Sequence, residues 1–274
     1  MRVKLGEPTS LLQGEKRDMS APRIIRIPIL PMGMVNAHLV EGDAGCVLVD
    51  AGLPGSAHRV GRALEALGRT WKDLELIVIT HAHVDHAGDA AELRKRSGAP
   101  IVAHAAEREH LAGLAPMTYC PTGWFGRLFV KTPAIHERYL RVDPDILLSD
   151  GETLDLSRFG VRGAVRHTPG HTKGSISVEL DSREALVGDL LASGVLLGGI
   201  VRAGHAIRPP FEEAPATAGA ELERMVDAGI QTFHLGHGGP LNAREVLRHA
   251  RVLRHLRPGA PIPQRFSPEA ARAR

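Results

Sequence analysis

Short apolar runs divided by turn-forming residues set the pattern of this chain from residue 23 onward. Residues 24–29, 35–40 and 46–49 read as strands, and the Gly42-Asp43-Ala44-Gly45 turn makes this opening antiparallel. Residues 74–79 form a nearly continuous apolar run, the mark of a strand buried on both faces, and 101–103 repeats it in short form. Between these lie helical patterns. Val60, Ala63, Leu64 and Leu67 recur at helical spacing, with Ser56 placed as N-cap and Gly68 as stop. A second helix is expected over 89–97, ended by Gly98, and a third over 106–114. The distal half predicts strands at 152–156, 161–166, 175–180, 184–187 and 231–235. It also predicts a helix over 214–228 and a final one capped by Asn242 and running to 256. Strands alternating with helices point to an α/β layered fold, and the similar order of the two halves suggests a pseudo-symmetric sandwich.

The regularity breaks between 115 and 148, where Pro116, Pro121, Gly123, Pro133 and Pro144 punctuate a segment carrying a large share of the aromatic residues. A lid is expected here, with Tyr119, Trp124 and Phe125 as an apolar wall against substrate. A small satellite core or a dimer contact is the equal alternative. Residues 190–215 form a Gly- and Pro-rich loop whose polar members, His205 and Arg208, are candidate substrate contacts or solvated side chains. The organisation read from this pattern is an N-terminal extension over 1–22, one domain over 23–258, and a Pro- and Arg-rich, loosely ordered tail over 259–274.

Composition narrows the function classes. A chain of 274 residues with 43% hydrophobic residues suits a single α/β domain. Two cysteines, Cys46 and Cys120, are too few for a disulfide framework, so a reducing cytoplasm is the expected compartment. The first residues lack the apolar core of a signal peptide, and no run reaches membrane-spanning length. A net charge of +3 without a dense Lys/Arg block argues for a solvated surface and a small-molecule substrate, not nucleic acid. A homodimer is possible, with no pattern that requires one.

The chemistry is concentrated in Thr80-His81-Ala82-His83-Val84-Asp85-His86-Ala87-Gly88, directly after the 74–79 strand. Residues two apart in an extended segment point the same way, so His81 and His83 can grip one ion. Asp85 and His86, once the chain turns, can face a second. Further ligand-type residues end other short strands: His171 in Thr168-Pro169-Gly170-His171, Asp189 after 185–188, and His237 after 231–235. Histidine and carboxylate without thiolate suit zinc, with iron or manganese as alternatives, and predict an open coordination position.

The series His81-x-His83-x-Asp85-His86, His171, Asp189, His237 resembles the metallo-β-lactamase fold superfamily, from about Ile24 to about Leu256, and Val49-Asp50-Ala51-Gly52 is similar to that family's first motif. The resemblance implies an αββα four-layer sandwich of two mixed β-sheets flanked by helices. It assigns His81, His83 and His171 to one divalent ion, Asp85, His86 and His237 to a second, and Asp189 to both. Asp50 would support a ligand from behind, and Asp85 would orient the attacking hydroxide. The implied reaction is hydrolysis of an ester, thioester or lactone. Hydroxyacylglutathione hydrolases share the ligands but carry an added helical domain for which the stretch after His237 is short. Acyl-homoserine-lactone lactonases use a tyrosine after the bridging aspartate, and none follows Tyr139 here. Class B1 β-lactamases have arginine and cysteine where this chain has His86 and Asp189. A phosphodiesterase or nuclease of the same fold and a mononuclear iron persulfide dioxygenase are the rival expectations.

Overall fold

Side-chain alternation along the strands gives each of two stacked sheets two apolar faces, and that alternation dictates the layering. In the computed structural model, which describes residues 22–195, 197 and 201–263, Cys46 and Leu48 pack outward against helices while Val47 and Val49 pack inward against the other sheet. Residues 1–21 of the expected extension and 264–274 of the tail lie outside the described residues. Successive positions on a strand face opposite sides, so a central strand with helices on one side and a sheet on the other must be apolar throughout.

The first sheet has six strands side by side in chain order: β1 (Arg23–Pro28), β2 (Asn36–Glu41), β3 (Cys46–Val49), β4 (Leu74–Val78), β5 (Ile101–His104) and β6 (Ile146–Leu148). The first two pairings are antiparallel and the remaining three parallel. The second sheet follows with β7 (Thr153–Asp155), β8 (Gly163–His167), β9 (Ile176–Leu180), β10 (Glu184–Leu186), β11 (Thr232–His234) and β12 (Leu241–Asn242). Only β10 and β11 pair in parallel, joined through the helix Pro215–Asp227.

Three apolar clusters fill three interfaces. One lies between the first sheet and the helices Ala57–Ala66 and Ala90–Ser97, one between the sheets, and one between the second sheet and the helices Pro215–Asp227 and Ala243–Leu253. Three interfaces make four layers, the expected αββα sandwich. Among the described residues no helix is long and apolar enough to cross a membrane.

Several local expectations need correction. The expected insertion over 115–148 runs too far, because 146–148 is the edge strand β6. The helix expected over 106–114 shrinks to a 3-10 turn, Ala105–Glu107, and one helical turn, Arg108–Leu111; Gly113 follows in the left-handed region at φ 63°. Ser56 makes no capping bond. The Ala57 N–H instead donates to Asp89 at 2.5 Å, and Asp89 is also the N-cap position of the next helix, so one carboxylate sits at two helix N-termini. The pseudo-symmetry is partial, since the first sheet has three parallel pairings and the second has one. Within the described part of the tail, Ile262–Pro263 pairs with Thr118–Tyr119 and so straps the aromatic segment.

Candidate metal centre

The strand ends β3, β4, β8, β10 and β11 deliver their following loops to one edge of the sandwich. The sheets are stitched there by Ile176 N–H donating to the Thr80 carbonyl at 2.9 Å and Asn36 N–H donating to the Gly236 carbonyl at 2.8 Å. His83 is extended (φ −62°, ψ 149°) and starts the helical turn Val84–Ala87. The extended part turns His81 and His83 to one place, and the helical turn swings Asp85 and His86 to a neighbouring one.

All seven residues of the expected set converge. His81 Nε2, His83 Nδ1 and His171 Nε2 form a triangle with sides of 3.0, 3.0 and 3.1 Å. Asp189 spans the two groups: its Oδ1 lies 3.3 Å from His86 Nε2, and its Oδ2 lies 3.0 Å from His237 Nε2 and 3.8 Å from His171 Nε2. Asp85 Oδ2 stands 3.4 Å from His237 Nε2 and 3.8 Å from His86 Nε2. Six of these side chains are buried; Asp85 is 27% exposed.

Hydrogen bonding behind the cluster fixes which ring nitrogens face inward. Asp50, a non-glycine residue at φ 66° where Asp is tolerated, accepts from Thr80 N–H at 2.8 Å, from the Thr80 hydroxyl at 2.9 Å and from His86 Nδ1 at 2.8 Å. The Thr80 hydroxyl proton is thereby committed, so His81 Nδ1, 3.0 Å away, must be the donor to Thr80 Oγ1. His237 Nδ1 donates to the Met34 carbonyl. Once neutral, His81, His86 and His237 are left with the Nε2 lone pair pointing into the cluster, the tautomer that metal coordination requires, while His83 presents Nδ1.

A cation fits this donor set. His86 Nε2 and Asp189 Oδ1, buried within the cluster, face each other at 3.3 Å without a well-formed hydrogen bond, and buried polar atoms ordinarily make one. A point about 1 Å off the plane of the His81, His83 and His171 nitrogens lies about 2 Å from each, the length of a Zn–N bond. The electrostatics agree. Burial drives His83 down to about 4, His171 down to about 3 and His81 well below the ordinary histidine value. Burial opposes charge on His237 and His86 too, but Asp189 and Asp85 lift His237 to about 9, and Asp189, Asp50 and Asp85 hold His86 well above the ordinary value. Asp189, which burial would raise, is held well below the carboxylate range by His237 and His86. Protons on two imidazoles thus balance the carboxylates, and a divalent ion would displace them.

The loops are further clamped by residues that sequence reading missed. Glu107, buried, accepts from Ala82 N–H at 2.8 Å, from the Thr172 hydroxyl at 2.7 Å and from Gly174 N–H at 3.2 Å, so one carboxylate ties the His81–His83 loop to the His171 loop. The Tyr139 hydroxyl donates to the Ala82 carbonyl at 2.7 Å. Tyr119, expected in the apolar wall, also stacks its ring on His83, centroids 5.1 Å apart.

Of the expected substrate contacts, Tyr119 and Phe125 line the cavity of about 490 Å³ that opens over the cluster, together with Phe129 and Phe211. Trp124, His205 and Arg208 do not: they line an adjacent chamber, Trp124 is 73% exposed, and the other two are engaged by Glu245 at 3.1 Å and Glu212 at 2.7 Å. A fourth group of ligand-type residues, His104, Asp150 and His167, lies elsewhere. Its two rings stack in parallel, 3.9 Å apart and 13° from coplanar, and His104 Nε2 and His167 Nδ1 lie 3.3 and 3.6 Å from the same oxygen of the exposed Asp150.

Comparisons with known proteins complete the description. The family model described as "Metallo-beta-lactamase superfamily" matches residues 30–237. A UPF0173 metal-dependent hydrolase of Pyrococcus abyssi is 38% identical over 106 residues, 36% of this chain and 44% of that protein, so the match spans less than half of that relative's length. A hydroxyacylglutathione hydrolase of Acidiphilium cryptum is 29% identical over 236 residues, covering 86% of this chain and 74% of that protein. The crystal structure of a metallo-β-lactamase family protein from Thermus thermophilus superposes with a TM-score of 0.60 at 26% identity, covering 84% of this chain and 78% of the other.

Proposed function

Because this chain belongs to the metallo-β-lactamase superfamily, we propose that it is a metal-dependent hydrolase that holds two divalent ions, zinc in the first instance, and cleaves an ester, thioester or lactone of a small molecule. The observation that carries this reading is the triangle of buried imidazole nitrogens beside the Asp85–His86–His237 group, with Asp189 between them and His83, Asp85, His171, Asp189 and His237 lining the floor of an apolar cavity. In this reading His81, His83 and His171 hold one ion, Asp85, His86 and His237 the other, and Asp189 both.

Ions held there supply Lewis acidity and a water activated at neutral pH. The protein's own part is positional. Asp85, the one partly exposed carboxylate of the set, is placed to accept a hydrogen bond from the attacking water and aim its lone pair at the carbonyl carbon. Asp50 and Thr80 keep His81 and His86 in the coordinating tautomer. The aromatic wall of Tyr119, Phe125, Phe129 and Phe211 excludes bulk water from the cavity floor.

The convergence of Asp85, His86 and His237 into a second donor group favours two ions over the single iron of a persulfide dioxygenase. A phosphodiesterase is disfavoured because, among the described residues, no Lys or Arg lines the cavity to meet a phosphate. The test is metal content together with turnover of thioester, lactone and bis-(4-nitrophenyl) phosphate substrates. Two ions per chain with thioester or lactone turnover supports the proposal; one iron with oxygen uptake, or phosphodiester turnover alone, overturns it. Asp85→Ala should abolish turnover while the fold and one bound ion persist, and wild-type turnover in a metal-loaded sample would remove Asp85 from its role.

A further inference from the structure

We infer that the substrate's non-reacting arm is apolar and uncharged, so that anionic esters and thioesters are excluded. This inference rests on the hydrolase reading above and concerns what the same cavity selects. One wall is made by Leu30, Met34 and Leu53 from the loops after β1 and β3, and the facing wall by aromatic rings. Those rings form a continuous surface: Phe125 stacks on Phe129 and Phe129 on Phe211, both with centroids 5.8 Å apart, and Phe211 meets Tyr119 at 4.7 Å. The Tyr119 hydroxyl is committed to the Ile135 carbonyl at 3.1 Å and does not reach into the cavity as a free donor.

Charge decides the class. Among the described residues, the one charged side chain lining the cavity away from the His/Asp floor is Glu137, an exposed carboxylate, and no Lys or Arg among them lines it. Arg202 and Arg208 line the adjacent chamber, which shares Phe125, Leu197 and Pro210 with this cavity, and Arg208 is already paired with Glu212 at 2.7 Å. An arm ending in a carboxylate, sulfonate or phosphate would therefore lose its hydration against aromatic carbon with no cation to meet it, and would face the negative Glu137. An aromatic or aliphatic arm gains from the same surface, and a cavity of about 490 Å³ is of the size that encloses a small organic molecule. Glutathione thioesters, with carboxylates on the thiol arm, fall outside this class.

The experiment compares phenyl hexanoate with phenyl 6-sulfohexanoate on the zinc-loaded full chain; sulfonate is a poor zinc ligand, so the comparison stays on the cavity wall. The expected result is a kcat/KM for the neutral ester about 100-fold higher, rising about fourfold for each methylene added to shorter acyl chains. Glu137→Arg, at an exposed position, should narrow the gap by raising turnover of the sulfonate alone. Calorimetric binding of the unreactive amides N-phenylhexanamide and its 6-sulfo analogue reads the same preference without turnover. If neither ester is cleaved but the neutral amide binds about tenfold more tightly or better, the hydrolase reading fails and the cavity inference holds. If the sulfonated ester is cleaved as well as the neutral one, or the sulfonated amide binds as tightly, the inference is overturned while hydrolysis is read separately from the neutral ester.

Discussion

Replacing Asp50 with asparagine changes almost no volume and leaves a residue that also tolerates φ 66°, so its effect isolates hydrogen bonding. The Asp50 carboxylate is buried and acceptor-only toward three donors, Thr80 N–H, the Thr80 hydroxyl and His86 Nδ1. An asparagine side chain has one oxygen and one NH2 to offer. If the oxygen keeps His86, the NH2 faces the Thr80 donors, and a buried donor left without an acceptor costs about 1–3 kcal/mol of stability. If the NH2 faces His86 instead, the ring must accept at Nδ1 and carry its proton on Nε2, the nitrogen aimed into the cluster. Loss of such a supporting contact weakens metal binding about 10- to 100-fold, or about 1.4–2.8 kcal/mol. Either amide orientation therefore costs at least about 1 kcal/mol, in folding or in binding. Urea unfolding of EDTA-treated protein reads the first and zinc competition with a chromophoric chelator reads the second. A variant that matches wild type in both measurements would refute the assignment of the His86 tautomer to Asp50.

Other outcomes follow from the same contacts. Glu107→Gln should lower stability by about 1–3 kcal/mol and reduce kcat more than KM, because the amide cannot accept from Ala82, Thr172 and Gly174 together; unchanged unfolding and kinetics would show that the clamp is idle. Gly236→Ala would drive a methyl into Asp189 Oδ1 and His86 Cε1, so this variant should lose zinc stoichiometry, and full metal content in plasma emission analysis would contradict the close approach. In metal-free protein, the pairing of His237 with Asp189 contributes stability that is fully present below pH 6.5 and lost as pH rises through about 9. His83 and His171 are depressed to about 4 and about 3, so their burial as neutral rings contributes stability present above pH 6.5 and lost as pH falls toward those values. Unfolding midpoints of the metal-free chain should peak near pH 6.5, while zinc affinity climbs from there to about 9 as protons cease to compete at His237; a midpoint that rises steadily to pH 9 would contradict the sign at His237, and one that does not fall below pH 6.5 would contradict the sign at His83 and His171.

What was legible in the sequence divides along physical lines. The strands of the first sheet were readable because two buried faces leave only apolar residues, as in Leu76 to Ile79. His81 to His86 was readable because its chemistry is local. His171, Asp189 and His237 were each weak alone, and only their common place at strand ends, with the family resemblance, joined them. Glu107 left no trace, since it sits in a charged stretch and its partners Ala82 and Thr172 are 25 and 65 residues away. The capping of Ala57 by Asp89, 32 residues distant, escaped for the same reason. Trp124 misled in the other direction: aromatic content marked the segment over the cavity, but the orientation of the helix Gly123–Phe129 sends Phe125 inward and leaves Trp124 outside.

The most direct measurement is anomalous diffraction at the zinc edge from crystals of the zinc-loaded chain. The account predicts two peaks, one among His81, His83 and His171 and one among Asp85, His86 and His237, with Asp189 between them. No peak at this edge of the sandwich, or zinc bound only elsewhere, would contradict it.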